Sequence, residues 1–463
     1  LLLVQEAGLA LVIVLIALLL GYFGGSKQKV DRVPVPAETA VQVTTSSISA
    51  TIDGRDRRFE LTDGWQLREL GGGRQLIYRE RQVNKFFDLD NLFLNLVFAS
   101  FYAVMAVGVT AVIATGGIDL SIGSIYALAA LFGAIFLRYD WSAGLPEAQV
   151  LGSSAIWWLA IIVGLVALIG PTARAKVAPK LGGDRASSVR MVERVVLAVG
   201  FILLVLAFWK LAAAVRDAGA AQTARSALPL AAAVPIGVGV CCLVAGAAGW
   251  LNGVMIVGLR VHPFIITLGT MAAYRGLVTL PTQAQSVGQF PESFTLGFFK
   301  REVGGVYPIP VIIMILVLLG GMIVLSRTVF GRRIYAIGGN ETAAHYAGIP
   351  VGRTKIWVYT LMGALAGLSA AIYLGYLGAW EPNAGFGYEL KVIAAAVIGG
   401  ASLSGGRGSA LGAILGALLI QLIDNGMLIL GIDQNYNQIV MGAAIILAVV
   451  LDQLNRRFLP QGR

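Results

Sequence analysis

Long apolar stretches alternate with short polar segments along most of the chain. Each stretch approaches or exceeds the ~17–25 residues that an α-helix needs to cross a bilayer. They lie near 7–22, 92–115, 119–138, 154–171, 193–214, 228–257, 262–280, 308–326, 355–378, 408–430 and 437–452. A further run, 391–400, is too short to cross alone, so it is either half of a broken helix or a short span. The pattern predicts an all-α polytopic membrane protein with eleven or twelve transmembrane helices.

Composition supports this class. Hydrophobic residues make up 57% of the chain and charged residues 13%, whereas a soluble domain carries about 25% charged residues. The net charge of +10 need not indicate nucleic acid, because Lys and Arg collect in the cytoplasmic loops of membrane proteins. Cys241 and Cys242 are adjacent in an apolar run, which indicates packing and neither a metal site nor a disulfide framework.

Basic residues also predict the orientation. Clusters within 174–194, 327–355 and 456–463 should all be cytoplasmic. Alternation of the spans then places 23–91 outside, and this parity works best if 391–400 counts as a crossing.

The segment 24–90 differs from the rest, because it holds eleven basic and ten acidic residues. Partial apolar–polar alternation around Asp63-Gly64 and 71–73 predicts a small extracytoplasmic, β-rich insert. About 65 residues cannot bury much core, so we expect the insert to lean on the membrane domain or a partner. The predicted organisation is a first transmembrane helix (1–23), this insert (24–90), a first membrane part (91–326), a cytoplasmic loop (327–354) and a second membrane part (355–463).

An octapeptide pattern, Gly-Gly-x-x-Leu-Ser-x-Gly, occurs twice, each time between apolar runs. Glycine-rich breaks at matching places in two halves of a membrane protein often mark a transport path. The alternative is two turns of similar composition in a chain with 58 glycines. We expect broken helices that line a path, with these candidate residues: Gly116, Gly117 and Ser121 in the first copy, and Gly399, Gly400 and Ser404 in the second.

Two acids lie beside these breaks. A carboxylate in or near a span is usually functional or paired, but Asp119 could instead cap the helix 119–138 with help from Ser121, and we expect the cap. Glu389, at the outer mouth of 391–400, offers the same two interpretations, a functional carboxylate or a helix cap. The span interiors otherwise read as almost free of charge, apart from Lys210 and Arg275.

The polar segment between the spans 308–326 and 355–378 predicts a short helix. Asn340 can cap it, Glu341 suits its first turn, and Gly348 before Ile349-Pro350 ends it. Such a helix could dock into a groove on another protein, or it could be an ordinary capped surface helix. The residues alone leave both open.

Three long motifs resemble the permease subunits of bacterial ABC importers for ribose, xylose and related monosaccharides. They are VMAVGVTAVIATGGIDLSIGSIYALAAL, GRRIYAIGGNETAAHYAGIPVGRTKIWVYTLMGALAGLSA and GYELKVIAAAVIGGASLSGGRGSALGAILGALLIQLIDNGMLILGI. The similarity covers about 88–135 and 245–455, plus the first span. Branched-chain amino acid permeases share a looser version. The insert at about 24–85 and the long region 139–227 depart from the pattern.

The resemblance implies a multi-pass inner-membrane subunit that imports a small polar solute from a periplasmic or lipid-anchored solute-binding protein. A separate ATPase subunit would bind ATP and magnesium, since this chain has no Gly-x-x-x-x-Gly-Lys-[Ser/Thr] loop. This chain would then be no enzyme, hold no metal or cofactor, and pair with a second permease chain, as a homodimer. The resemblance assigns the ATPase-docking role to the helix, with these residues: Asn340, Glu341, Ala343, Ala344 and Gly348.

Other classes fit the residues less well. An ion-coupled secondary transporter normally buries charged ion sites in mid-span. A membrane-embedded enzyme needs clustered His, Asp or Glu, and the chain has two histidines. A receptor whose working part is the insert would not need the short helix. A permease for branched-chain amino acids or another small polar solute remains the nearer alternative.

Overall fold

The computed structural model describes residues 2–36, 39, 41–52, 55–70, 74–139, 228–282, 285–443, 446 and 450. The predicted spans 154–171 and 193–214 and the basic cluster within 174–194 lie outside the described residues. The last predicted span, 437–452, is described only in part. The predicted total of eleven or twelve spans therefore stays a prediction.

Most of the described chain is helical, as the apolar pattern predicts. The helices are α1 Leu2–Phe23, α2 Leu89–Ala114, α3 Ile122–Arg138, α4 Leu230–Leu259, α5 Pro263–Thr282, α6 Pro308–Arg327, α7 Val329–Gly339, α8 Glu341–Tyr346, α9 Val351–Leu377, α10 Tyr388–Ile398 and α11 Ala410–Ile429. Within the described ranges, six of them are long and apolar enough to cross a membrane, namely α1, α2, α4, α6, α9 and α11.

The short run near 391–400 forms α10, an eleven-residue helix that stops before Gly399. At ~1.5 Å per residue it covers about 16 Å, roughly half of a bilayer core of about 30 Å. Lys391 of α10 pairs with Asp424 of α11, and Gly399 lies against Gly412, so α10 and α11 run antiparallel. The run is therefore too short to cross alone, as predicted.

Both α9 and α11 run antiparallel to α2, since Ser369 bonds to Phe101 and Asn425 bonds to Asn91. The segment between them, which includes α10, must then return in the opposite direction, in agreement with the predicted parity.

Glycines bring α4 and α9 into close contact. A Cβ atom at Gly249 would lie 2.2 Å from the Tyr359 carbonyl oxygen, and one at Gly363 would lie 2.2 Å from the Ala245 carbonyl oxygen. Gly249 and Gly253 on α4, and Gly363 and Gly367 on α9, follow the small-x-x-x-small spacing that lets membrane helices approach closely. This pair forms the centre against which α2 and α3 pack.

The insert contains two three-stranded antiparallel sheets, in agreement with its alternating pattern. Their orders are β1-β6-β5 and β2-β3-β4, and the strands are β1 Ser26–Val35, β2 Val41–Val43, β3 Ser47–Ile52, β4 Arg55–Glu60, β5 Trp65–Leu70 and β6 Arg74–Asn84. A further two-stranded pair joins β7 Val287–Gly288 to β8 Ala379–Trp380. The insert's small core holds Val35, Ile48, Phe59 and Ile77.

Ionic contacts join the insert to the start of α2. Lys27 and Lys29 of β1 reach Asp88 at 2.9 and 2.8 Å, and the Asn84 side-chain amide donates to the Gly21 carbonyl at 2.6 Å. Burial alone raises the pKa of the Asp88 carboxyl, but the two lysines outweigh that effect and hold its pKa below its ordinary value. The insert thus leans on α1 and α2, as its small size predicts.

Candidate functional site

The first glycine break separates α2 from α3. Thr115 follows the last residue of α2, and Gly116 adopts a left-handed conformation, with φ 78°. The Gly117 N–H donates back to the Val112 carbonyl at 3.1 Å. The chain therefore leaves α2 through a glycine cap of the usual kind, and α3 begins a few residues later.

Asp119 does not cap α3. The helix begins at Ile122, three residues later than the predicted start at 119, and Ser121 occupies the N-cap position. Asp119 Oδ1 instead accepts the Ser121 backbone N–H at 2.7 Å and the Ser121 hydroxyl at 2.6 Å. The carboxylate is fully buried, and it organises the turn before the helix, since Ser and Asp side chains readily bond to nearby backbone.

A polar network from three other helices closes around this turn. The Asn252 side-chain amide of α4 donates to the Ser121 hydroxyl at 2.8 Å and lies 3.5 Å from Asp119 Oδ2. The Tyr359 hydroxyl of α9 and the Thr267 hydroxyl of α5 each donate to the Ile118 carbonyl at 3.4 Å. No sequence signal singled out Asn252, since it is a lone amide in an apolar run.

The second break separates α10 from α11 and is longer. Gly399 follows α10, and Gly400, Gly405, Gly406 and Gly408 all have positive φ. Ser409 is the N-cap of α11, and its hydroxyl accepts the Gly412 N–H at 2.9 Å. Ser404 matches Ser121 in the octapeptide, but the helix resumes only at Ala410. The two octapeptides therefore match in sequence, but the helix that follows each one begins at a different position.

The structure brings the two breaks together. The Gly406 N–H of the second break donates to the Ala114 carbonyl at the end of α2, at 2.9 Å. A Cβ atom at Gly405 would lie 3.1 Å from the Gly116 nitrogen. The contact is made by Gly116 at the start of the first break and by Gly405 and Gly406 in the second. Asp119 and Ser121 instead contact Asn252, Gly399 lies against Gly412, and Gly400 lies against Gln5.

Glu389 lies at the start of α10, beside the first turn of α3. A Cβ atom at Gly123 would lie 2.2 Å from Glu389 Oε2, so the last glycine of the first octapeptide makes room for this carboxylate. The Arg275 guanidinium interacts electrostatically with Glu389 and donates to the Ala384 carbonyl at 2.9 Å. Within the described residues, Glu389 Oε2 is buried and has no hydrogen-bond partner, so a solute hydroxyl could donate to it.

An ion pair joins α10 to α11, and the sequence did not lead us to expect it. Lys391 Nζ lies 2.7 Å from Asp424 Oδ2, both side chains are mostly buried, and the Asn437 amide donates to Asp424 Oδ1 at 2.8 Å. The expectation that the spans carry almost no charge beyond Lys210 and Arg275 is therefore wrong. The signal was present, because both residues lie in predicted apolar runs and intramembrane charges pair with one another.

The short polar helix forms as predicted, as α8. The Asn340 side chain accepts the Ala343 N–H at 2.9 Å, and Gly348 is left-handed with φ 80°. Lys355 of α9 pairs with Glu341 at 2.7 Å. Ala344 is buried, while the rest of the helix is exposed, with Tyr346 at 84%. The helix is thus capped at its start, tied to α9 and exposed except at Ala344.

Long apolar helices, two facing breaks and an exposed capped helix define a multi-pass membrane transport protein. The family model of the permease component of branched-chain amino acid transport systems matches residues 188–449. The chain belongs to this family of permease components, and it is a multi-pass inner-membrane protein.

Several curated relatives are permeases named for a sugar. The chain is 33% identical to the ribose import permease protein RbsC of Escherichia coli over 371 residues, which cover 79% of this chain and 87% of that protein. It is 42% identical to RbsC of Bacillus subtilis over 44% of this chain and 63% of that protein. It is 43% identical to the D-allose transport system permease protein AlsC of E. coli over 46% of this chain and 64% of that protein. The matches to B. subtilis RbsC and to AlsC therefore span less than two thirds of those two relatives. No solved structure matches the chain.

Proposed function

We propose that this chain is the permease subunit of an ATP-binding cassette importer, and that it carries a monosaccharide of the ribose, allose or xylose type across the inner membrane. The observation that carries the proposal is α8, a capped and exposed helix joined directly to α9 and, through α7, to α6, in a chain whose relatives include permeases named for ribose, allose and xylose. A separate ATPase subunit binds ATP and magnesium, and this chain is no enzyme and holds no metal or cofactor.

In this proposal, α8 is the docking helix for the ATPase. Asn340 and Gly348 fix its two ends, and Glu341 is tied to Lys355 of α9. Ala343 keeps the exposed face narrow enough for a groove, while Ala344 is buried and seats the helix on the rest of this chain. Closure of the ATPase pair displaces α8, and α6 and α9 carry the displacement to the breaks. The two breaks line the path, with Asp119 and Ser121 shaping one side.

The solute meets polar groups that hold it weakly. Glu389 Oε2 accepts a sugar hydroxyl near the start of α3, since it has no protein partner among the described residues. A periplasmic or lipid-anchored binding protein supplies most of the selectivity. A second copy of this chain completes the pore, and the insert, outside the membrane, borders the surface that receives the binding protein.

Docking can be tested at Gly348. A Cβ atom there would meet nothing within 4 Å, so Gly348→Trp projects a large side chain towards the partner and adds backbone strain from its positive φ. Gly431→Trp is the matched control, because Gly431 also has positive φ, at 70°, and open space. Co-purification of the ATPase should be lost with Gly348→Trp and kept with Gly431→Trp. Equal co-purification of both variants would contradict the docking assignment.

The solute can be identified by substrate-dependent stimulation of the reconstituted complex. The family description names branched-chain amino acids, so leucine, isoleucine and valine form the second panel beside ribose, allose and xylose, each with its own binding protein. We expect ATP hydrolysis to rise with one of the sugars. A rise with an amino acid alone would favour the second candidate function.

A further inference from the structure

The helix that precedes the docking helix is joined to its neighbours without a flexible loop. Thr328 caps α7 by accepting the Gly331 N–H at 3.1 Å, directly after α6 ends. Asn340 then ends α7 and caps α8 with the same residue. A Cβ atom at Gly331 would lie 2.2 Å from the Leu325 carbonyl oxygen, so the bend from α6 into α7 is tight. A displacement of α8 must therefore be shared by α7.

The far end of α7 lies between the two breaks. A Cβ atom at Gly338 would lie 1.8 Å from the Ala114 carbonyl oxygen and 2.5 Å from the Gly406 nitrogen, and these are the two atoms whose hydrogen bond joins the breaks. One at Gly405 would lie 2.6 Å from the Gly338 carbonyl oxygen. We call Gly116, Gly338, Gly405 and Gly406 the glycine junction. At this point three backbones approach so closely that Gly338 has no room for a side chain.

One side chain adds a directional contact. The Tyr335 hydroxyl, one turn before Gly338, donates to the Gly408 carbonyl of the second break at 2.7 Å. Gly408 has a φ of 156°, a backbone conformation that few other residues adopt. Tyr335 thus links α7 to the part of the second break nearest the start of α11.

The side of α7 that carries Gly338 also borders a cavity, because Phe330, Ile334 and Gly338 are spaced four residues apart and lie along one stripe of the helix. An apolar cavity of about 210 Å³ lies between α2, α6, α7 and α9, and Phe330 and Ile334 of α7 are among its lining residues. Protein interiors are otherwise close-packed, so a helix beside a cavity can shift with less repacking than one packed on all sides.

We propose that α7 is the element that transmits the motion of the docking helix to both breaks, with Gly338 and Tyr335 as its positioning residues. The inference rests on the proposed function, because the motion originates in the ATPase. Gly338 holds the first break through Ala114 and the second through Gly406, and Tyr335 holds the second break at Gly408. Both breaks then move together when α8 moves.

The test measures sugar uptake and ATP hydrolysis in the same proteoliposomes, with the complete transporter. Tyr335→Phe removes only the hydroxyl, and we expect uptake per ATP hydrolysed to fall several-fold while hydrolysis continues. Tyr22→Phe is the control, since Tyr22 is 82% exposed on α1. Gly338→Ala should lower the same ratio further, and Gly339→Ala should not, because a Cβ atom at Gly339 would meet nothing within 4 Å. A purely structural role would lower both activities together and leave the ratio unchanged.

A distance measurement gives a readout independent of transport. Spin labels at Tyr346→Cys and Leu403→Cys, in a Cys242→Ala background, report the separation of α8 from the second break. We expect one narrow distance that is the same without nucleotide and in the ATP-trapped state, and a broadened distance in Gly338→Ala and Tyr335→Phe. If the transporter does not assemble with Gly338→Ala, the results for Tyr335→Phe alone test the role of α7. Wild-type ratio and distance in Tyr335→Phe would overturn the inference, whereas a wild-type complex without ATP-driven uptake would overturn the proposed function.

Discussion

The two breaks begin alike and are held in place differently. Each helix before a break ends two residues before a left-handed glycine, Gly116 in the first and Gly400 in the second. The first break is then fixed by buried side chains around Asp119, whereas the second adds three more positive-φ glycines and backbone contacts with α7. Similar octapeptides therefore share a helix-ending device, and the rest of each turn depends on what packs against it.

The difference predicts which kind of mutation each break tolerates. Removing polar side chains should damage the first break most, because its turn needs them as partners. Adding a Cβ atom should damage the second break most, because its glycines have little space and unusual φ values. The following experiments test this contrast.

The largest effect is expected at Asp119. Asp119→Ala leaves the Ser121 N–H and hydroxyl buried without their acceptor, which costs about 2–4 kcal/mol of stability. We expect a clear drop in the unfolding temperature in detergent and at least a tenfold loss of uptake. Asp63→Ala, at an exposed position of the insert, is the control. A wild-type melting curve for Asp119→Ala would show that the first break does not depend on its side chains.

A smaller effect is expected at Gly408. Gly408→Ala would place a Cβ atom 2.8 Å from Thr110 Cγ2 at a φ of 156°, and such conformations cost about 1–3 kcal/mol. Gly116→Ala shares a positive φ, but its Cβ atom meets nothing within 4 Å, so about 1 kcal/mol is expected. Thermal unfolding of the two variants side by side measures the difference. A larger loss for Gly116→Ala would reverse the proposed contrast.

Ser409 tests the end of the second break. Ser409→Ala removes the acceptor for the Gly412 N–H and the hydroxyl that donates to Glu6 of α1. A lost N-cap costs about 1 kcal/mol. Ser409→Thr keeps a hydroxyl and should recover most of the stability, as read from the same unfolding curves. If Ser409→Thr were as unstable as Ser409→Ala, the loss of stability would not come from the lost N-cap.

The smallest effect is expected far from both breaks, where the insert meets α2. Because the folded-state pKa of Asp88 is lowered, its ion pairs stabilise the protein above its ordinary pKa of 3.8, and that contribution disappears as pH falls through the lower folded-state value. We expect a loss of about 1 kcal/mol or less, since the lysines are partly exposed. Asp88→Asn should flatten this part of the stability–pH curve. An unchanged curve in Asp88→Asn would assign the acid sensitivity to other groups.

The sequence predicted the elements that depend on local patterns. The apolar runs, the β-rich insert and the capped helix at 340–348 all follow from periodicity, hydropathy and cap residues. The predicted start of α3 is three residues too early because both Asp119 and Ser121 suit a cap, and the local sequence does not distinguish them. The Lys391–Asp424 pair, the meeting of the two breaks and the place of Gly338 between them depend on tertiary packing, which no local pattern records.

The most direct measurement of the central claim is uptake by proteoliposomes that contain this chain, its ATPase and its binding protein, with ATP and ion gradients varied separately. The account predicts sugar uptake that requires ATP on the ATPase side, survives collapse of proton and sodium gradients, and disappears in Gly348→Trp. Uptake that follows an ion gradient without any association with an ATPase would contradict it and would identify a secondary transporter.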